Sequence, residues 1–233
     1  MLSEREYITH EVILPNIGIN FFDAILYINL DHRNDRKERI LNQLLLAGAH
    51  KSKIFRIDAQ LDPLNGHRGC GLSHVKAINF AIKKQFETVL ILEDDFIFTH
   101  TKESIDSYID SFITHMGEMW DVFLLSSNVI DYEKTSHPNI KRVLCAQTTH
   151  SYALNNHYFD PLKKCFEFAL SMMESDIFAI QTAQNLHAID HVWKILQPKA
   201  RWFIGSNAIG KQGESFSDIS LDHIKRLDKY EYP

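Results

Sequence analysis

Three consecutive carboxylates, Glu93, Asp94 and Asp95, are the residues of this sequence best suited to chemistry. They follow the apolar run at 88–92, and the apolar segment 96–98 follows them at once. Adjacent carboxylates at an apolar edge repel one another and need a compensating cation. Their oxygens favour magnesium or manganese, which use one or two protein carboxylates and fill their other positions with water and phosphate. The triplet therefore predicts a metal-bound diphosphate; the alternative is an acidic start to a solvated loop.

A glycine-rich segment at residues 66–74, GHRGCGLSH, precedes the acidic strand. Glycines let a backbone come close to a ligand, and the free amides at a helix N-terminus favour an anion, to which Arg68 would add a charge-assisted hydrogen bond. The spacing matches neither a Walker loop nor the dinucleotide fingerprint, so a plain turn is the alternative. His67 and His74 also have an ordinary interpretation as loop and first-turn histidines, because no ligand spacing in the sequence specifies zinc.

Positioning these groups requires a sheet, and the first hundred residues predict one. Residues 24–30 and 53–59 have the pattern of strands, and between them lies a helix that ends at Gly48. This strand–helix–strand order favours a right-handed crossover in a parallel sheet. Ser73 is then predicted to cap a second helix, and 88–92 to form a strand buried on both faces. The pattern is that of a doubly wound nucleotide-binding half.

The second half has a looser pattern. It predicts a helix at 104–115, a strand at 122–125, a loop at 126–139, strands at 143–146 and 151–154, helices at 161–174 and 177–187, and a strand at 201–204. No repeat or linker separates the halves. The prediction is therefore one domain over residues 1–233.

Composition excludes several classes of protein. The 233 residues carry 25 Lys and Arg against 30 Asp and Glu, a net charge of −5 with no block of about five or six like charges, so a nucleic-acid partner is not expected. Three widely spaced cysteines predict no disulfide framework and favour a reducing compartment. With no apolar run of signal-peptide or membrane-span length, the expectation is a cytoplasmic protein without a transmembrane segment; work in a secretory compartment would need delivery by something outside this sequence.

Four blocks together resemble glycosyltransferase family 25, which includes bacterial lipopolysaccharide galactosyltransferases and collagen hydroxylysine galactosyltransferases. They are INLD at 28–31 with Arg33, Asp35 and Arg36; GCGLSH at 69–74; LEDD at 92–95; and DHVW at 190–193 with Gln212 and the segment at 217–219. The blocks occur in the family's order over roughly residues 25–220. Their joint occurrence is far more specific than any single block.

The resemblance implies a GT-A type α/β fold, with a mostly parallel, Rossmann-like central sheet flanked by helices. It also implies transfer, with inversion, of galactose or glucose from a UDP-hexose to a hydroxyl on a glycan or on a hydroxylysine-bearing protein. The cofactor would be Mn²⁺ or Mg²⁺, held by Asp95 with Asp94. The donor half would span about 20–125, and the acceptor-side half with a C-terminal lid about 126–233.

Residue roles follow from the same resemblance. Glu93 would meet the ribose, although the motif is Glu-Asp-Asp and not a strict Asp-x-Asp. Asp190 is the candidate catalytic base; the alternative is that Asp190 caps the helix that follows. Apart from the resemblance, Trp193 is the aromatic residue expected to stack on a pyranose or uracil face; the alternative is a core position, which aromatic residues at helical or strand spacing more often take. The full set of predicted donor-binding residues is Asn29, Leu30, Arg33, Arg36, Asp58, Ser73, His74, Glu93, Asp94, Gln212 and Ser217.

Two other functions remain open on the sequence. A metal-dependent nucleotide-sugar hydrolase would use the same acids to place a water, and no acceptor would accelerate its reaction. A catalytically silent UDP-sugar-binding module would bind UDP without turnover.

Overall fold

An eight-stranded sheet dominates the computed structural model, which describes residues 17–175, 186–213, 215, 216, 223 and 224. The elements of the first half are β1 (Ala24–Asn29), α1 (Asn34–Leu46), β2 (Ile54–Asp58), α2 (Gly66–Lys84), β3 (Thr88–Glu93), β4 (Phe96–Phe98), α3 (Lys102–Met116) and β5 (Val122–Leu124). The predicted strands and helices of this half are all present, with ends that shift by a few residues. The exception is the start of α2.

The second half adds β6 (Asn128–Lys134), β7 (Ile140–Gln147), β8 (Ser151–Asn155), α4 (Phe159–Ser175), α5 (Ile189–Val192), β9 (Trp202–Gly205), β10 (Gly210–Gln212), β11 (Ser215–Phe216) and β12 (His223–Ile224). Most of the helix predicted at 177–187 lies outside the described residues, and the two that are described, 186 and 187, form a turn.

The strands of the large sheet are ordered β2-β1-β3-β8-β5-β9-β7-β6. Only β8 and β7 run against the others, so six of the eight strands point the same way. The shorter β4 and β10 pair antiparallel beside the sheet. The predicted α/β class is confirmed: a mostly parallel, Rossmann-like central sheet flanked by helices, as expected of a GT-A type fold.

Apolar side chains cover both faces of this sheet. One cluster packs α2 and α4 on one face and includes Ile78, Phe166 and Trp193, and the other packs α1 and α3 on the opposite face. Residues 89–92 of β3 are fully buried, as the continuous apolar run at 88–92 predicted, and every residue of β1 is buried as well. The two apolar layers hold the carboxyl ends of the parallel strands at one edge.

The loop predicted at 126–139 is wrong, because this segment forms β6 and the turn into β7. β6 is the last strand of the sheet, and most of its side chains are exposed. Edge strands of this kind carry charged and polar residues, which protect them from pairing with other chains. That composition is the one that made the segment resemble a loop.

The turn predicted in the glycine-rich segment is also wrong, and so is the cap assigned to Ser73. The helix α2 begins at Gly66, and Asn65 caps it by accepting a hydrogen bond from the backbone N–H of Arg68 at 3.1 Å. A Cβ on Gly69 would lie 2.6 Å from the carbonyl oxygen of Gln60. The glycines therefore serve close helix packing, and the segment offers no anion-binding turn.

None of the helices in the described part of the chain combines the length and the apolar character that crossing a bilayer requires.

Candidate active site

Three neighbouring parallel strands each have a predicted functional residue as their last residue. Asn29 closes β1, Asp58 closes β2 and Glu93 closes β3, and the registers place them side by side along one edge of the sheet. Ligands of open α/β sheets bind at this edge, outside the carboxyl ends of the strands. The acidic triplet therefore lies where it was expected, at the carboxyl end of a parallel strand.

Asp94 is buried and joins the triplet to the first strand and helix. Its Oδ2 accepts a hydrogen bond from the Asn29 amide at 2.8 Å, and its Oδ1 accepts one from the Arg36 guanidinium at 3.0 Å. Burial raises the pKa of Asp94, and Arg36 and Asn29 only partly offset this rise. Both carboxylate oxygens are thus used within the protein, which positions Asn29 and Arg36 at the edge of the sheet.

Glu93 lies in a different environment. Its Oε1 accepts a hydrogen bond from the Thr149 hydroxyl at 2.9 Å and lies 3.4 Å from Nε2 of His74. Burial raises the pKa of Glu93, but His74, His150 and Thr149 together outweigh burial and lower the pKa to about 2. Glu93 is therefore an anion at neutral pH. On the other side of the His74 ring, Nδ1 lies 2.9 Å from the Tyr152 hydroxyl.

Asp95 faces the C-terminal segment. The side-chain amide nitrogen of Gln212 lies 3.5 Å from each of its carboxylate oxygens, and the backbone N–H of Gly213 donates to the Asp95 carbonyl at 2.7 Å. Pairing of β4 with β10 holds this segment in place. The structure thus brings the predicted lid residue Gln212 to the acidic triplet, whereas Ser217 lies outside the described residues.

Asp190 lies in the first turn of the short helix α5. The N-cap position of this helix belongs to Ala188, so the alternative that Asp190 is the cap is wrong. Its Oδ2 instead accepts a hydrogen bond from the backbone N–H of Thr148 at 3.1 Å, and Thr148 has a left-handed φ of 75°. The loop before β8 is therefore fastened to the carboxylate of Asp190.

The carboxylates converge on the sulfur of Cys70, which lies on α2. Burial raises the pKa of the Cys70 thiol, and the negative charges of Glu93, Asp190 and Asp95 raise it further. Two acids of the triplet and one acid of α5 thus act on one atom. The arrangement is an anionic cluster at the end of β3, beside α2 and α5.

For four other predicted donor-binding residues, the structure shows positions or contacts within the protein that do not decide whether they bind a donor. The Arg33 guanidinium binds the Asp35 carboxylate through two hydrogen bonds of 3.0 Å. Asp58 is exposed and lies 3.2 Å from the Lys76 ammonium, and Leu30 is half-buried after β1. Ser73 is buried, and its hydroxyl accepts from the backbone N–H of Gln60 and donates to the Gly69 carbonyl. Whether these residues touch a donor stays a prediction.

Trp193 is fully buried, and its indole N–H donates to the Ala146 carbonyl at 2.9 Å. The predicted stacking of Trp193 on a sugar is therefore wrong. Sequence reasoning also gave no role to Cys70 and did not find Thr149 and His150, which contact or face Glu93. Thr149 and His150 lie just before β8, which only the fold brings beside β3, so no local motif could have revealed them.

A family model described as "Glycosyltransferase family 25 (LPS biosynthesis protein)" matches residues 2–187 of the chain, which is most of its length. No curated protein matches it. The fold is similar to that of a glycosyltransferase involved in the glycosylation of the major capsid of PBCV-1, with 12% identity and a TM-score of 0.46 over 78% of this chain and 80% of that chain.

Two further solved structures are similar at the same level. A197 from STIV is 11% identical, with a TM-score of 0.47 over 89% of this chain and 99% of that chain. The glycosyltransferase GlyE of Streptococcus pneumoniae TIGR4 is 10% identical, with a TM-score of 0.41 over 77% of this chain and 44% of that chain. At such identities and TM-scores, none of these likenesses says what this chain binds.

Proposed function

This chain belongs to glycosyltransferase family 25, and we propose that it transfers a hexose, galactose or glucose, from a UDP-sugar to an acceptor hydroxyl with inversion at the anomeric carbon. One observation supports the proposal most strongly. The charges of Glu93, Asp95 and Asp190 meet at Cys70 beside the carboxyl end of β3, and Asp94 accepts hydrogen bonds from Asn29 and Arg36 at the same end of the sheet. A sugar diphosphate needs both cationic and carboxylate partners, and this edge provides both.

The donor would lie across the ends of β1 and β3. Arg36 and the Asn29 amide are the donor-side groups that the structure fixes, because Asp94 accepts hydrogen bonds from both. Glu93 is ionised, so its carboxylate can accept hydrogen bonds from ribose hydroxyls. His74 and Thr149 fix the direction of the Glu93 carboxylate.

Of the two acids proposed as metal ligands, Asp95 fits Mn²⁺ or Mg²⁺ better. The Gln212 amide lies 3.5 Å from each of its hard carboxylate oxygens, whereas the oxygens of Asp94 accept closer hydrogen bonds, at 2.8 and 3.0 Å, from Asn29 and Arg36. One carboxylate is enough for these ions, since water and phosphate oxygens complete their shell. A divalent ion bound there supplies the positive charge that stabilises the departing diphosphate. The Gln212 amide would keep the Asp95 side chain oriented.

Asp190 is the proposed general base for the acceptor hydroxyl. The hydrogen bond from Thr148 fixes one oxygen of the carboxylate, and the side chain is only partly buried, so an acceptor can reach it. A base positioned in this way takes the proton of the attacking hydroxyl as the bond to the sugar forms. Attack from the face opposite the diphosphate gives inversion.

The acceptor is proposed to be a hydroxyl of a glycan. The description of the family names lipopolysaccharide biosynthesis, which supports a saccharide acceptor over a hydroxylysine-bearing protein. A cytoplasmic location would suit a nucleotide-sugar donor.

Release of UDP from a panel of UDP-sugars, measured with and without Mn²⁺, tests this function. We expect Asp95→Asn to reduce metal-dependent release by at least about 100-fold, because the variant loses the negative charge that holds the ion. The matched control is Glu87→Gln, which neutralises an exposed carboxylate just before the opposite end of the same strand and should leave the rate unchanged.

The outcomes separate the alternatives. Release that an acceptor saccharide accelerates, and that both Mn²⁺ and Asp95 control, supports the transferase. Donor cleavage at the same rate with and without acceptors indicates a nucleotide-sugar hydrolase. UDP binding without turnover across the whole panel indicates a silent binding module, and turnover that neither metal nor Asp95→Asn changes contradicts the proposed metal site.

A further inference from the structure

We propose that Cys70, His74 and Glu93 form a binding site for Zn²⁺ between α2 and the end of β3, separate from the ion assigned to Asp95. Cys70 and His74 are four residues apart on α2, so they lie on the same face of the helix. Glu93 reaches them from the end of β3. The Cys70 sulfur, one ring nitrogen of His74 and one carboxylate oxygen of Glu93 all lie within 4.8 Å of one another.

The distances suit a tetrahedral ion. Zinc ligands at roughly 2.0–2.3 Å from the ion lie about 3.5 Å from one another, and Nε2 of His74 already lies 3.4 Å from Oε1 of Glu93. A rotation of the Cys70 side chain that moves the sulfur by about 1 Å closes the set. The three protein ligands leave the fourth tetrahedral position for water or another ligand.

The groups around the ligands are those of a prepared metal site. His74 is fully buried, and among the described residues its Nε2 makes no hydrogen bond of good geometry, only the 3.4 Å contact with Oε1 of Glu93. Its other ring nitrogen, Nδ1, is held by the Tyr152 hydroxyl at 2.9 Å, which fixes the ring with Nε2 directed at the other two ligands. The Thr149 hydroxyl orients the Glu93 carboxylate in the same way. Such outer contacts commonly hold metal ligands in place.

The chemistry of the ligands selects the ion. A thiolate and an imidazole favour zinc over manganese or magnesium, which prefer oxygen ligands. The surroundings favour a cation, because the carboxylates of Asp95 and Asp190 act on the same sulfur as Glu93. The zinc site itself does not depend on the proposed function. Only the statement that zinc and the sugar donor would share Glu93 rests on it.

A titration of the metal-free full-length protein with Co²⁺ tests the site without any donor. Tetrahedral cobalt reproduces zinc, and a thiolate ligand gives a charge-transfer absorption that oxygen ligands do not. We expect one equivalent to produce this band and one equivalent of Zn²⁺ to abolish it. Cys70→Ser should remove the band, and Glu93→Gln should weaken Co²⁺ binding at least about tenfold. The matched control Cys145→Ser changes another partly exposed thiol and should retain both band and affinity.

A second measurement uses only the wild-type chain and so does not depend on whether variants fold. Zn²⁺ at one equivalent should slow the alkylation of Cys70 by iodoacetamide at least about tenfold and leave the alkylation rate of Cys145 unchanged. Peptide mass spectrometry measures both rates. No cobalt–thiolate band, a band that persists in Cys70→Ser, or alkylation of Cys70 unaffected by zinc would each overturn the proposal. None of these readouts requires UDP release, so they stand apart from the test of Asp95.

Discussion

Single side chains decide the proposed chemistry, and Asp190 offers the clearest test. In Asp190→Asn, the side-chain oxygen can still accept the hydrogen bond from Thr148, but the group can no longer take a proton. We expect kcat to fall on the order of 100-fold or more, with UDP affinity and melting temperature unchanged. Calorimetric titration with UDP, UDP release and thermal unfolding measure the three quantities.

Asp160→Asn is the matched control for Asp190→Asn, because Asp160 also lies in the first turn of a helix. Asp160 is exposed, and it follows the end of β8, whereas Asp190 contacts Thr148 before the start of β8. Its kcat should stay at the wild-type value. If Asp190→Asn lowers UDP affinity and melting temperature as much as kcat, then the carboxylate supports the loop at Thr148 and is not the base.

At this scale, the sequence allowed the carboxylates to be predicted but not their separate environments. Adjacency of Glu93, Asp94 and Asp95 indicated a cation, yet alternate side chains after a strand point in different directions. Asp94 therefore meets Asn29 and Arg36, while Glu93 meets His74. The burial of Trp193 was equally hidden, because an aromatic residue beside an acid has the same sequence pattern whether it faces a ligand or the core.

Among the elements, helix α2 shows how packing overrides a local signal. Glycines usually interrupt helices, but here Gly69 faces the loop before the helix, and Gly71 faces Leu170 of α4 and Ile189 of α5. Tertiary packing, against the preceding loop for Gly69 and against distant helices for Gly71, explains these glycines, and composition alone does not show it. The charged edge strand β6 was missed for a related reason: the sheet that supports it is assembled from other parts of the chain.

The packing of α2 can be tested with Gly69→Ala. Helix propensity alone predicts that alanine stabilises the protein by up to about 1 kcal/mol. The new Cβ would lie 2.6 Å from the backbone carbonyl oxygen of Gln60, which has little freedom to move, and overpacking of this kind costs about 1–3 kcal/mol. We expect a lower free energy of unfolding and a melting temperature reduced by several degrees, as measured by urea and thermal denaturation.

Gly71→Ala is the internal comparison for Gly69→Ala. Its nearest atoms are the ends of the Leu170 and Ile189 side chains, at 3.0 Å, which can shift. The loss of stability should therefore be smaller than for Gly69→Ala. If Gly69→Ala raises the melting temperature instead, helix propensity governs this position and the packing explanation is wrong.

Across the whole molecule, the two halves predicted from the sequence share one sheet. β8 comes from the second half, yet it pairs with both β3 and β5 of the first half. The absence of a linker in the sequence indicated a single unit, but the insertion of β8 could not be predicted, because strand order across a sheet depends on pairings between distant segments. The same insertion carries Thr149 and His150 to the acidic triplet, so fold and site are completed together.

We therefore expect that residues 17–125 do not fold alone. Without β8, the apolar strand β3 would expose an open edge, and β5 would lose its connection to β3. In urea, this fragment should show no cooperative transition by far-ultraviolet circular dichroism and should aggregate. The full chain should unfold in one step, with the same midpoint by far-ultraviolet circular dichroism and by the fluorescence of its tryptophans, because buried tryptophans lie in both halves. A fragment that unfolds cooperatively, or two different midpoints, would show that the halves are separate domains and that β8 contributes little to the stability of the first.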